Sequence, residues 1–462
     1  MSGDITVAPT SIPGLVVLDI PVHGDNRGWF KENWQREKMT AAGLPDFGPV
    51  QNNVSFNTAA GTTRGIHAEP WDKLVSVAAG RIFGAWVDLR EGPHFGTVFT
   101  AEVDPSRVVF VPRGVGNAYQ TLEPDTAYTY LVNHHWSPSA EYTFVNLGDE
   151  TVAIDWPIPL AQAAVSDKDR AHPRLRDVAP VPPRRILVLG ADGQLGRALR
   201  LLLPDAEFAG RRALDLSEPR ALDGRTWRDY AVVINAAAYT KVDEAETPEG
   251  RAEAWASNVR GLARLAAVCR EHRITLVHLS SDYVFDGRRA VHGEDEPLTP
   301  LGVYGQTKAA GDAVVGSLPC HYIVRTSWVI GDGNNFVRTM AALGDRGIDP
   351  AVVSDQVGRL SFTGDIAAAI LHLLGTQAPF GTYNVSSGGE PASWADIAKR
   401  VFALRGHDPD RVTPVTTTEY FASRAAAPRP LNSVLDLTKI EASGFAVPDW
   451  NERLERYLRA LP

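Results

Sequence analysis

Two groups of residues in this chain have the types and spacing that proton and hydride chemistry demand. In the first third, Arg64-Gly65-Ile66-His67 is followed at short range by Lys73. An imidazole can take a carbon-bound proton at neutral pH, and a nearby ammonium can stabilise the charge left on an adjacent oxygen. Further on, a Gly190-x-x-Gly193-x-x-Gly196 turn precedes Ser281 and Tyr304-x-x-x-Lys308. Such glycines let the backbone approach a pyrophosphate at a helix N-terminus, where free amides and the helix dipole favour anions. Tyr304 and Lys308, four apart, share one face of a helix; the ammonium lowers the phenol's pKa, so that it can act as an acid, and Ser281 can hydrogen-bond a carbonyl. The first group would move a proton beside a ketone and the second would deliver hydride to one, so a tandem enzyme is expected.

Different elements must position the two groups. Residues 1 to about 160 are short β-branched and aromatic runs (Leu15–Ile20, Lys73–Val77, Ile82–Leu89, Arg107–Val111, Tyr128–Val132) punctuated by turn residues. That pattern predicts an all-β domain of jelly-roll, cupin-like barrel type. Lys73 and Val75 then share a strand face, and a barrel interior would bring Lys73 near His67. A proline cluster, Val178 to Arg184, can sustain neither helix nor central strand. Beyond it, apolar runs at Ile186–Leu189, Ala231–Asn235, Leu276–Ser280 and Tyr322–Thr326 alternate with helical stretches at Ala252–His272 and Thr307–Ser317. This is the rhythm of a Rossmann-type, doubly wound parallel sheet, expected here with a small substrate-binding lobe. The predicted division is a β domain over 1–178, a linker over 179–184 and an α/β domain over 185–462.

The region Glu207–Arg212 lacks the acidic residue that an NAD-selective fold sets against the ribose, and Arg211 and Arg212 could meet a 2′-phosphate or simply be solvated. NADPH is therefore favoured, with NADH possible. Composition removes other classes. At 462 residues the chain exceeds the roughly 250–300 at which one core stops growing. No apolar run approaches the ~18 residues of a membrane span, and a net charge of -9 argues against nucleic acid as a partner. Met1 to Thr6 carries no leader pattern, so a cytoplasmic protein is expected. Cys269 and Cys320 make neither a disulfide framework nor a zinc site. His67 has no His-x-His partner, Asn117 stands where a downstream ligand would fall, and His134 and His135 would point to opposite strand faces, so no metal is expected.

The stretches DNRGWF (25–30), QNNVS (51–55), RGIH (64–67), KLV (73–75), VDLR (87–90), FG (95–96), PRG (112–114), DWP (155–157) and SDKD (166–169) occur in an order that resembles the dTDP-4-dehydrorhamnose 3,5-epimerases over 1 to about 177. The resemblance implies that His67 is the base, Asp169 its orienting carboxylate, Tyr130 the acid on the opposite face, and Lys73 the cation at the enolate oxygen. Arg27 and Arg64 would hold the nucleotide sugar, with Gln51, Asn53 and Trp136 also on the substrate side. Departures fall around the sugar pocket. Ala68 and Glu69 replace an aromatic residue and Gln, the segment 114–119 lacks a usual His, and Trp136 replaces a common Tyr. These keep single-carbon epimerisation open as an alternative.

The stretches GQLG (193–196), VINAAAYT (233–240), VDEAE (242–246), Asn258, SDYVFDG (281–287), YGQTK (304–308), RTSWV (325–329), NFV (335–337), DQVG (355–358) and RPLNS (429–433) resemble the extended short-chain dehydrogenases, most closely the dTDP-4-dehydrorhamnose reductases. The resemblance implies a catalytic set of Ser281, Tyr304 and Lys308. Gly190, Asp192, Gly193, Gln194, Leu195, Gly196, Arg211, Asp215, Ala236, Ala237 and Tyr239 would line the cofactor together with Tyr304 and Lys308. Tyr283, Trp328 and Asn335 would face the nucleotide sugar. Gly358 to Ser361 departs from a usual Gly-x-Pro-Thr, and Ala198 replaces a glutamate linked in some relatives to metal-bridged dimers. Taken together the resemblances imply consecutive epimerisation at C3 and C5 and reduction at C4 of a dTDP-4-keto-6-deoxy sugar by a homodimer. The other expectation left open is an active reductase beside a non-catalytic sugar-nucleotide-binding module.

Overall fold

The β-branched runs of the first third pair into two antiparallel sheets. One has six strands in the spatial order Thr6–Pro9, Val16–Asp19, Arg107–Val111, Lys73–Ala79, Thr126–Val132 and Gln51–Asn57. The other has five, in the order Thr143–Phe144, Thr63–Ala68, Val115–Thr121, Ile82–Asp88 and Val98–Val103. This computed structural model describes residues 4–137, 140–422 and 426–461. The chain divides into units 1–183 and 184–462. In the first unit, Val75, Val77, Val109 and Tyr128 of the larger sheet share a core with Ile82, Trp86, Val115 and Tyr119 of the smaller one, so the sheets pack face to face. The edge strand Gln51–Asn57 shows the period of two directly. Gln51, Asn53 and Ser55 are half-buried, whereas Asn52, Val54 and Phe56 are exposed. Within the segment expected to link the domains, Val181 is tied to this unit, its amide donating to Leu89 O and its carbonyl accepting from Glu91 N.

The second unit is built on six parallel strands in the order Glu207–Ala209, Arg185–Leu189, Tyr230–Asn235, Thr275–Ser281, His321–Thr326 and Gly381–Asn384. Alternate residues serve opposite faces. Val188, Ile234, Val277 and Val324 pack with Leu195 and Leu199 of the helix Gln194–Leu202 and with Ile366 and Ile370 of the helix Thr363–Gly375. Leu187, Val233, Leu276 and Ile323 pack with Leu265 of the helix Leu262–Glu271 and Val315 of the helix Val303–Gly316. Parallel strands covered on both faces must read as continuous apolar runs, which is what made them legible. A further cluster, including Ile330, Val337, Leu360, Val401 and Leu454, gathers the later helices into their own core.

The helix expected over Ala252–His272 forms as three pieces: Pro248–Trp255, a π-helical segment Ala256–Gly261, and Leu262–Glu271. Its widened turn presents Asn258 to the backbone of Tyr239, whose N–H donates to Asn258 Oδ1 at 2.8 Å and whose carbonyl accepts from Nδ2 at 3.1 Å. Such insertions in a helix commonly mark functional sites. No helix among the described residues is long and apolar enough to cross a membrane.

Candidate active sites

In the β unit, Thr63–Ala68 carries His67, and the short helix Asp167–Arg170, capped by the Ser166 hydroxyl, carries Asp169. His67 Nε2 lies 3.0 Å from Asp169 Oδ1. Burial would raise the Asp169 pKa, but the hydrogen bond and charge of His67, helped by the Gly65 amide, leave it below the usual carboxylate value. The carboxylate is therefore ionised at neutral pH, as an acceptor that fixes an imidazole's orientation must be. His172, one turn on, is buried with Nε2 3.7 Å from the same oxygen; it stacks on Phe144 at 4.6 Å and meets His67 edge-on at 5.2 Å. The ligand atoms of His67, Asp169 and His172 lie within 4.8 Å of one another. The 3.0 Å contact is that of a direct hydrogen bond, the geometry of a base and its orienter.

Lys73 opens its strand of the larger sheet, buried, with Nζ 2.5 Å from Glu69 Oε1 and 5.2 Å from the centre of the Tyr130 ring. Glu69 also accepts from Trp71 Nε1. Tyr130 pairs with Asn53 across the sheet and hydrogen-bonds its side chain. Burial, then the charge of Glu69, push the Tyr130 phenol up to about 12, so it carries its proton at neutral pH and has one to give. Gln51 Nε2 donates to Asn53 Oδ1 at 2.9 Å on the same strand face, and Gln51 Oε1 accepts from the backbone N–H of Trp136 at 3.0 Å. Arg64 reaches Asn57 and its charge bears on Tyr130. Arg27 is not brought to this group. It stands on the exposed hairpin His23–Asp25 and Gly28–Phe30, 85% exposed and paired with Asp25 at 2.5 Å.

In the α/β unit a cleft of about 960 Å³ opens over the sheet. Gly190, at φ 77°, sits where a Cβ would come within 2.6 Å of the Ala236–Ala237 peptide, and Gly193 caps the helix Gln194–Leu202. Gly190, Asp192, Gly193, Gln194, Leu195, Arg211, Asp215, Ala236, Ala237 and Tyr239 all line the cleft. Gly196 does not; a side chain there would strike Gly190 O at 2.3 Å, so its absence lets the helix close on the turn. Arg211 is 75% exposed and its Nε lies 2.8 Å from Asp215 Oδ2. Free helix-terminal amides, a turn with no side chain at Gly190 and Gly193 and a cation at the rim fit a dinucleotide.

Ser281, Tyr304 and Lys308 converge at the far side of the cleft with Tyr283 and Trp328. The Ser281 hydroxyl donates to Asp282 Oδ1 at 2.9 Å and its side chain contacts the Tyr304 phenol, whose pKa burial, then Asp282, pushes upward. Lys308 Nζ donates to Leu279 O at 2.6 Å, and burial brings its pKa down to about 8 against the pull of Asp312. Trp328 stacks on Trp394 at 3.7 Å. Asn335 instead caps the helix Phe336–Asp345 and donates to Gly331 O and Tyr457 Oη, outside the cleft lining. Sequence reasoning gave no role to His172, Asn258, His278 or Asp282. A histidine inside the apolar run Leu276–Ser280 was a readable signal, because a buried imidazole needs partners.

The profile of the family described as dTDP-4-dehydrorhamnose 3,5-epimerase matches residues 9–177, and that described as RmlD substrate binding domain matches 184–462. Over 180 residues the chain is 52% identical to a Streptococcus pyogenes protein named RmlC homolog, covering 37% of this chain and 90% of that protein. Over 296 residues it is 39% identical to the dTDP-4-dehydrorhamnose reductase of Aggregatibacter actinomycetemcomitans, covering 59% and 97%. The solved Bacillus anthracis dTDP-4-dehydrorhamnose reductase in complex with NADP superposes with a TM-score of 0.55 at 33% identity, over 60% of this chain and all of that one.

Proposed function

Since the chain belongs to the dTDP-4-dehydrorhamnose 3,5-epimerase family through residues 9–177 and to the RmlD substrate-binding-domain family through residues 184–462, we propose that it carries out two consecutive steps on one nucleotide sugar. It is a bifunctional enzyme, an isomerase joined to an NAD(P)H-dependent oxidoreductase of the dTDP-L-rhamnose route. The His67–Asp169 contact carries the reading of the first half. His67 withdraws the proton from a carbon beside the C4 ketone, Lys73 meets the charge that collects on the ketone oxygen, and protonated Tyr130 returns a proton on the other face. Repetition at C3 and C5 inverts both centres.

For the second half, NADPH when bound supplies hydride to C4. Tyr304 gives its proton to the oxygen that becomes the alcohol, Ser281 holds that oxygen, and Lys308 steadies the charge on the phenolate left behind. The glycine turn and helix N-terminus would hold the pyrophosphate, and Arg211 the 2′-phosphate. Tyr283 and Trp328 would border the sugar nucleotide. We read the two antiparallel sheets of residues 1–183 as the facing sheets of a jelly-roll barrel, and the cluster around Leu360 and Val401 as the substrate lobe. A homodimer completes the proposal, supported by exposed Trp29 and Phe30 on the hairpin and exposed Val54 and Phe56 on the edge strand.

Incubation with dTDP-4-keto-6-deoxyglucose and NADPH in D₂O tests this. Wild type should oxidise cofactor and give a product deuterated at C3 and C5. Tyr304→Phe should exchange deuterium without oxidising cofactor, and His67→Ala should abolish exchange. Cofactor oxidation by His67→Ala at the wild-type rate would remove the epimerase from the sequence of steps. A second reading, epimerisation at one carbon on a related deoxysugar route, is favoured by Glu69 against Lys73 in the sugar pocket. Deuterium at one carbon only would select it.

A further inference from the structure

His278 lies on the strand Thr275–Ser281 directly behind Lys308, 1% exposed, with a different partner at each ring nitrogen. Nε2 is 3.2 Å from Lys308 Nζ and Nδ1 is 3.2 Å from Asn235 Nδ2. Asn235 accepts the Ala237 N–H on its Oδ1 at 3.2 Å and so offers the other end of its amide to His278. Its NH₂ therefore faces His278, Nδ1 must be the acceptor, and the single proton of a neutral imidazole sits on Nε2, aimed at Lys308. An imidazolium is disfavoured by burial and then by Lys308, which hold the His278 pKa far below its ordinary value. An N–H pointed at Nζ complements the lone pair of an amine and opposes an ammonium.

We propose that His278 is a positioning residue of the reductase that, through the tautomer fixed by Asn235, ties the proton on Lys308 to the backbone of the cofactor-side loop at Ala237. For Lys308 to become an ammonium with a satisfied contact, the imidazole proton must move to Nδ1. Asn235 must then turn its amide over and release Ala237 N–H. Ala236 and Ala237 line the cleft, so a dinucleotide gripping that loop and the charge on Lys308 bias one another, and by linkage each does so equally. Asp312, on the same helix, favours the ammonium and is paired at 2.9 Å with Arg325 from the strand His321–Thr326, while Asp282 bears on Tyr304. Asn258, from the π-helical segment, is uncharged and bonds Thr307 at 3.0 Å.

This rests on the reductase reading, and the test separates the two. The pH profile of NADPH oxidation by the full chain should break near the Lys308 value of about 8. Asn235→Asp accepts from Nδ1–H, reverses the tautomer and presents a lone pair to Lys308; His278→Met removes the donor. Both should move the break upward by about one pH unit, the tenfold shift in proton affinity that one hydrogen bond represents. A purely structural role would lower the rate at all pH values with the break unmoved, and that result in Asn235→Asp overturns the proposal. No oxidation by wild type would instead defeat the reductase reading. Imidazole ¹⁵N shifts in histidine-labelled wild-type chain need no turnover: a protonated Nε2 and bare Nδ1 at His278 above the break, giving way to a protonated Nδ1 below it, support the proposal, and a tautomer that does not change across the break refutes it.

Discussion

Lys73 Nζ and Glu69 Oε1 stand 2.5 Å apart in a buried ion pair beside the Tyr130 ring. The cation proposed to meet the enolate is thus already partly neutralised, and the same carboxylate helps to keep Tyr130 protonated. Removing one member of a buried pair leaves the other uncompensated, at a cost of about 3 kcal/mol. Glu69→Gln should lower the urea-unfolding free energy by that order, and Glu69→Gln with Lys73→Met should recover part of it. Loss of the carboxylate should also lower the Tyr130 pKa and draw the alkaline limb of the deuterium-exchange profile to lower pH. An unmoved limb would show that Glu69 does not act on the phenol.

Asp169 is expected to matter through its charge. Asp169→Asn keeps the shape but cannot hold a charged imidazole, so solvent-deuterium incorporation should fall by roughly 10²-fold or more while reduction of a preformed epimerised substrate is unchanged. The native pKa lies below the ordinary 3.8, so the carboxylate's contribution to stability is present above that value and is lost as pH falls through the native one. Wild type should therefore be the more stable at pH 7, and the two proteins should converge in acid. A gap that persists in acid would assign the difference to packing.

Much of this architecture was legible because burial dictates residue type. The parallel strands lie between two helical layers and must be apolar throughout, so Ile186–Leu189 and Tyr322–Thr326 stood out within a residue or two of the strands Arg185–Leu189 and His321–Thr326. Strand Gln51–Asn57 was readable only through resemblance, because its inward face is polar and its outward face carries Val54 and Phe56. The interruption of the helix at Asn258 had no sequence signal; Gly261, at the end of the widened segment, sits where a Cβ would strike Leu216 O. Asn335 looked like a substrate residue and caps a helix, a role that the helical spacing of apolar Phe336, Val337, Met340 and Ala341 behind it would equally suggest. His172 escaped notice because only the fold sets it against His67.

The Arg211–Asp215 pair predicts how cofactor choice can be tuned. Asp215 holds the guanidinium at the rim, so Asp215→Asn should free it and tighten NADPH binding, whereas Arg211→Ala should raise the KM for NADPH about tenfold with little change for NADH. Competitive binding of NADP and NAD measured on the three proteins decides this. Equal weakening of both dinucleotides in Arg211→Ala would mean that the arginine does not read the 2′-phosphate.

Asp282 gives the stability of the reductase unit an inverted pH dependence. Its carboxyl is buried, held by Ser281 at 2.9 Å, and burial raises its pKa from 3.8 to about 6 although Ser433 and Ser281 oppose the rise. Between those two values the native state binds more protons than the unfolded one, so the free energy of unfolding falls as pH rises through that window and is level above it. Two pH units correspond to about 3 kcal/mol. Asp282→Asn keeps an acceptor for Ser281 and has no charge to bury, so it should be more stable than wild type at pH 7.5 by up to that amount and nearly equal to it at pH 4. Urea unfolding at several pH values reads both limits. If wild type gained stability from pH 4 to 6 relative to Asp282→Asn, the carboxylate would be well solvated or paired in the folded chain, and its pull on Tyr304 would have to be sought elsewhere.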